Sequence, residues 1–174
     1  MTLPEVLSVT WPEVEAWLYE LAREVPFDTI VGVTRCGLPL AAALSALVPE
    51  AALAVLSRRG PRGAKPPRYD FEAERAARLA VLSASFELTS LPKTAERILI
   101  IDDVATSGDT LFVAGEKVRA VAPKAEIAFA AYAADEVRLR LGRPEIVDRF
   151  HRQIAIDNAR TWISFPWNLD PITQ

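Results

Sequence analysis

The sequence predicts an α/β fold with a central, mostly parallel sheet flanked by helices. Three observations predict it. Short apolar runs of strand length alternate with helix-patterned segments along the chain. The clearest run, Ile98-Leu99-Ile100-Ile101, is continuously apolar, as suits a strand covered on both faces of a parallel sheet. The two most distinctive polar segments, 34–37 and 102–110, fall where a strand hands over to a helix, the end at which such sheets bind ligands.

The elements follow in order. Thr10 is a candidate N-cap, with Pro12 inside the first turn where its missing N–H does no harm. Val14, Trp17, Leu18, Leu21 and Val25 recur at helical spacing, so the first helix ends near Pro26. Residues 29–33 read as a buried strand and 38–47 as an Ala- and Leu-rich helix opened by Gly37. A second strand covers 53–56. Residues 57–69 hold Arg58, Arg59, Arg62, Lys65 and Arg68 among glycines and prolines, the composition of a cationic loop. A brief helix is expected at 72–78 and a β-like segment at 79–86. After the strand at 97–101, a helix runs over 109–121, with Leu111, Gly115, Val118 and Ala122 on its apolar face and Pro123 at its end. Residues 127–132 form another strand, and the alternation implies right-handed crossovers.

With 174 residues, one domain with a real core is expected. The net charge of −3 argues against a nucleic-acid surface. The single cysteine, Cys36, rules out an internal disulfide framework, and a reduced, cytoplasmic setting is expected. Residues 1–5 lack the basic and apolar regions of a signal peptide. No apolar stretch reaches the roughly 18–20 residues of a membrane span.

The central motif is Asp102-Asp103-Val104-Ala105-Thr106-Ser107-Gly108-Asp109-Thr110. Two acids end an apolar strand, and a small-residue turn then opens a helix. Successive N–H groups at a helix start bind anions, and Ser and Thr hydroxyls add donors. Gly108 lets the backbone approach a phosphate. The two carboxylates can accept from vicinal hydroxyls or hold a divalent cation. An ordinary capped turn, with Ser107 or Asp109 as N-cap, accounts for the turn but not for two acids at a buried strand end, where unpaired charge is costly. The Gly-Lys-Ser/Thr ending of a Walker loop is absent.

A second turn, Thr34-Arg35-Cys36-Gly37-Leu38, occupies a similar junction. Arg35 can grip a pyrophosphate bidentately, and Gly37 can adopt strained backbone angles. Cys36 reads as a small, half-buried loop residue, since His151 is distant in sequence and nothing marks a nucleophile's partner. In the tail, Trp162 offers an indole to stack on a nucleobase, with backbone groups of Ile163 to read its edge. Phe165 and Trp167 serve core closure or a pocket equally well.

Residues 98–111 resemble the phosphoribosyl pyrophosphate signature of type I phosphoribosyltransferases. That resemblance implies that Asp102 and Asp103 hold the ribose hydroxyls, directly or through Mg²⁺, that Thr106, Ser107, Gly108, Asp109 and Thr110 form the 5′-phosphate cradle, and that Ala105 is among the substrate-binding residues. The turn at Thr34, Arg35, Cys36 and Gly37 resembles the pyrophosphate loop of bacterial xanthine–guanine enzymes, with Cys36 where a glycine is usual. Catalytic roles then fall to Arg35, Asp102 and Asp103. Trp162-Ile163 with Pro166-Trp167 resembles the hood of xanthine–guanine and archaeal-type purine enzymes. The implied layout is a core of about 27–135 and a hood from about 1–10 and 145–174, in a homodimer or homotetramer.

The implied reaction moves a phosphoribosyl group from phosphoribosyl pyrophosphate to a 6-oxopurine, with Mg²⁺ and without nucleic acid or membrane. The 57–69 loop would close over the pyrophosphate or remain a solvated basic linker. Two departures keep the base open. Thr106 stands where purine enzymes usually carry an aspartate, and Tyr132-Ala133-Ala134 where they carry a lysine, unless Arg138 or Arg140 substitutes. The turn Ala105-Thr106-Ser107-Gly108 is closer to the orotate branch. A pyrimidine enzyme and a non-catalytic, phosphoribosyl-pyrophosphate-binding regulator are the alternatives.

Overall fold

A computed structural model describes residues 5–58, 72–89, 91–157 and 160–168. Its main sheet has six strands in the order β4-β3-β2-β5-β6-β7. These are β2 (Thr29–Val33), β3 (Ala52–Arg58), β4 (Phe86–Leu88), β5 (Arg97–Ala105), β6 (Glu126–Ala134) and β7 (Phe150–Ala155). All pair in parallel except β4, which runs antiparallel to β3. The sheet is therefore mostly parallel, as expected. A separate two-stranded sheet joins the ends of the described chain, β1 (Glu5–Ser8) to β8 (Thr161–Ser164).

Alternation along β5 assigns its side chains to two cores. Leu99 and Ile101 face α1 (Trp11–Glu24) and α2 (Gly37–Leu47), among Trp17, Leu18, Leu40 and Leu44. Ile98 and Ile100 face α3 (Glu72–Ser85) and α4 (Asp109–Val121), among Leu82, Leu111, Ala114 and Val118. Each fully buried side chain of this kind contributes about 1.5–3 kcal/mol, so β5 is the pillar of both layers. The start of α1 is fixed as expected: Glu13 Oε2 accepts from the Thr10 N–H and hydroxyl, both at 2.7 Å.

Two expectations need correction. Residues 79–86 are not a β-like segment; α3 continues through Ser85, and only Phe86 begins a strand. In a strand Val81 would share the inward face of Leu79, yet Val81 is 61% exposed while Leu82 is 5%. The helical period wins because it turns Leu79 and Leu82 together onto α4's side of the sheet. After β6, two short helices, α5 (Glu136–Gly142) and α6 (Pro144–Val147), and edge strand β7 carry no strong pattern and were not anticipated. Most of the expected cationic loop, from residue 59 onward, lies outside the described residues. Among the described residues no helix is long and apolar enough to cross a membrane.

Candidate functional site

The pairing of β2 with β5 brings the two predicted turns together. Gly32 lies opposite Ile101, so both strands deliver their carboxyl ends to one edge of the sheet. At the end of β2, the Thr34 N–H donates to the Leu56 carbonyl at 2.9 Å, and the Thr34 hydroxyl accepts from the Arg58 N–H at 2.9 Å. The Thr34–Arg35 peptide bond is cis. Arg35 is exposed and Cys36 half-buried. Gly37 has no positive φ. Its requirement is space rather than strain, because a β-carbon there would lie 2.5 Å from the Ile101 carbonyl oxygen.

At the end of β5 the acids are half-buried. Asp102 Oδ1 accepts from the Asp103 N–H at 2.9 Å, and Asp103 Oδ1 from the Val104 N–H at 2.7 Å. Burial holds the Asp102 carboxyl well above the ordinary range, with the charge of Asp103 adding to it. Burial also raises Asp103, while the Val104 N–H and the Cys36 thiol pull it back. Cys36 is thus electrostatically linked to the acid pair, which the sequence does not reveal. Its thiol is pushed up to about 12 by burial, then by the charge of Asp103 and the bond to it. A group that retains its proton so strongly is no nucleophile.

The acids are followed by the anticipated small-residue turn into a helix. Ala105 is buried, and Thr106, Ser107 and Thr110 are half-buried. Gly108 takes φ 74°, a left-handed conformation, and precedes the first turn of α4. Its carbonyl accepts from the Phe112 N–H at 2.8 Å. The buried Asp109 side chain is bound by arginines that sequence reasoning did not connect to it: Arg75 and Arg78 of α3, and Arg143. Nothing local signals these pairings, which span more than thirty residues.

In the tail, Trp162 is 54% exposed and lies opposite Val6, itself exposed, in the β1–β8 pair. Ile163 is buried. Phe165 stacks on Trp167 at 4.7 Å and meets Tyr132 edge-on at 5.7 Å. Both are therefore core closure. Tyr132 also meets Trp17 edge-on at 5.4 Å, and Ala133 and Ala134 are fully buried, so this end of β6 offers no cationic side chain. Arg138 is ion-paired with Asp135 at 3.3 Å. A cavity of about 340 Å³ is lined in part by Trp17, Glu24, Arg140 and His151, and by no residue of the turns at 34–37 and 102–110.

Comparison with known proteins agrees with this geometry. Residues 11–170 match the model of the phosphoribosyl transferase domain family. A purine phosphoribosyltransferase from Pyrococcus horikoshii is similar over 98% of this chain and 99% of its own, with 25% identity and a TM-score of 0.65. A xanthine–guanine–hypoxanthine phosphoribosyltransferase from Helicobacter pylori shares the fold at 14% identity and a TM-score of 0.64, over 94% and 93% of the two chains. So does an adenine phosphoribosyltransferase from Thermoanaerobacter pseudethanolicus, at 14% identity and a TM-score of 0.58 over 84% and 80%.

Proposed function

The chain belongs to the phosphoribosyl transferase domain family, and from that premise we propose that it transfers the 5-phosphoribosyl group of phosphoribosyl pyrophosphate to a 6-oxopurine, releasing pyrophosphate. One observation carries the reading. The Arg35 turn, the paired acids and the left-handed Gly108 turn share the adjacent ends of β2 and β5. Those are the groups needed for a pyrophosphate, a vicinal diol and a phosphate.

In this reading Asp102 and Asp103 accept hydrogen bonds from the ribose hydroxyls. The backbone N–H groups of 106–110, with the Thr106, Ser107 and Thr110 hydroxyls, receive the 5′-phosphate. Arg35 binds the pyrophosphate, Trp162 stacks on the base, and Ile163 offers backbone contacts to its edge. A base nitrogen forms a bond to C1 of the sugar as the C1–O bond breaks, and the bonding pair leaves with pyrophosphate. Catalysis is positioning and charge neutralisation.

The residues fit Mg²⁺. Asp102 and Asp103 are hard oxygen donors raised by burial, with their mutual repulsion adding at Asp102, and a cation relieves that repulsion. Mg²⁺ is commonly held by one or two carboxylates with ligand phosphates completing the shell. When bound, it supplies positive charge against the leaving pyrophosphate.

The likeness to the Pyrococcus horikoshii purine enzyme supports a purine. A specific observation weighs against a 6-oxopurine and keeps a second reading, a pyrimidine such as orotate: Tyr132 is turned into the core and the alanines beside it leave β6 without a lysine. Pyrophosphate release from phosphoribosyl pyrophosphate in Mg²⁺, measured with xanthine, guanine, hypoxanthine, adenine, orotate and uracil, separates the two. Release with a 6-oxopurine is the expected result. Release only with orotate or uracil would replace the purine by a pyrimidine. Binding of phosphoribosyl pyrophosphate without turnover on any base would make the chain a regulator.

A further inference from the structure

The Asp109 carboxylate, 3% exposed, collects three guanidiniums from two parts of the chain. Its Oδ1 accepts from Arg75 Nη2 at 3.0 Å, Arg75 Nε at 3.3 Å and Arg143 Nε at 3.2 Å. Its Oδ2 accepts from the Ser107 hydroxyl at 3.0 Å and lies 3.7 Å from Arg78 Nε. Arg75 also donates to the Gly142 carbonyl, which ties α3 to the end of α5. Arg143 lies over the Phe112 ring at 3.8 Å, and it backs onto the turn itself: a β-carbon on Gly108 would come within 3.1 Å of Arg143 Cγ and 2.5 Å of Leu139 Cδ1. The 107–110 turn is thus clamped from behind by α3 on one side and the α5–α6 joint on the other.

Among the described side chains, the charges in this clamp do not cancel. Among the described residues, the carboxylates paired with the three arginines are Asp109 and the half-exposed Glu145, 3.5 Å from Arg143 Nη1. Arg78 Nε and Arg143 Nη2 are buried without a well-aligned acceptor, although both lie at ion-pair distance from Asp109. A surplus of positive charge directly behind an anion turn favours an anion in that turn.

We propose that Arg75, Arg78 and Arg143 are positioning residues for the ligand's phosphate: through Asp109 they fix the 107–110 turn from behind, and their positive charge behind it favours the phosphate's negative charge. Asp109 then contributes to phosphate binding through its backbone N–H, while its carboxylate anchors the arginines. This inference rests on the phosphoribosyl reading of the site.

The test is calorimetric titration of the whole chain, in Mg²⁺, with phosphoribosyl pyrophosphate, ribose 5-phosphate and inorganic pyrophosphate. Arg75→Gln is expected to weaken the first two by about tenfold, the scale of one charge-assisted hydrogen bond, and to leave pyrophosphate unchanged. Arg75→Lys, which keeps the charge but loses the fork, should recover part of the loss. Unchanged affinities, or an equal loss for all three ligands, overturn the inference. A wild-type chain that binds none of them overturns the functional reading instead. If circular dichroism shows Arg75→Gln to be unfolded, Arg78→Gln, which removes an ion pair rather than a hydrogen bond, is read by the same ligand contrast.

Discussion

A β-carbon on Gly37 would lie 2.8 Å from the Asp102 Cα. The turn after β2 and the acids at the end of β5 are therefore in backbone contact, and the nearest obstructing atoms are backbone, which cannot rotate away. Gly37→Ala should force the two apart. The expected cost is about 1–3 kcal/mol of stability, the usual range for overpacking. Affinity for phosphoribosyl pyrophosphate should fall as well. Thermal melting and ligand titration measure both, and a folded variant with undiminished affinity would show that the two turns work independently.

The buried acid pair lowers the stability of the ligand-free chain. Both carboxyls titrate above their ordinary value of 3.8 in the fold. From that value upward, the native state holds more protons than the unfolded chain, so the stability of the ligand-free protein falls as pH rises through the raised native values. Asp102→Asn removes the charge that burial penalises. The ligand-free variant should melt a few degrees higher at neutral pH, about 1 kcal/mol for a chain of this size, and lose this part of the pH dependence. It should also lose phosphoribosyl pyrophosphate binding. Retained binding would remove Asp102 from the ribose site.

Much of this site is legible in the sequence because its signals are local. The apolar run into Asp102-Asp103 and the turn through Gly108 lie on consecutive residues, and β5, Gly108's turn and α4 follow that pattern in the structure. What is not legible depends on long-range contact. The arginines of α3 reach Asp109 across more than thirty residues, and the reason for Gly37 exists only once β5 is beside it. The helix at 79–85 is hidden for another cause: Leu79, Val81 and Leu82 fit either period until packing against α4 decides.

Cys36 should be chemically quiet. Its thiol is raised to about 12, against an ordinary 9.0. A higher pKa favours the neutral thiol, so at pH 8 the thiolate fraction falls about a thousandfold below that of an ordinary cysteine. Alkylation by iodoacetamide, followed by mass spectrometry without added Mg²⁺, should proceed correspondingly slowly and keep accelerating with pH well above 9. Asp103→Asn removes one of the charges that raise the thiol and should speed the reaction at a given pH. Rapid alkylation of the folded wild type at pH 8 would contradict the burial that, with the charge of Asp103, holds the thiol protonated.

Trp162 and Phe165 lie three residues apart and should fail in different ways. Trp162 is 54% exposed, so Trp162→Ala should leave stability within about 0.5 kcal/mol of wild type, as for most surface substitutions. Phe165 is 4% exposed and packed between Tyr132 and Trp167, so Phe165→Ala should cost about 3–5 kcal/mol. If Trp162 stacks on the base, its loss should raise KM for the base roughly 10-fold or more, in line with a stacking contribution of about 1–3 kcal/mol, while affinity for phosphoribosyl pyrophosphate stays near wild type. Steady-state kinetics with the preferred base, beside titration of the sugar phosphate alone, gives the comparison. Equal losses on both ligands would mean that Trp162 supports the hood rather than the base, because a folding role affects every ligand whereas a stacking role affects only the one it touches.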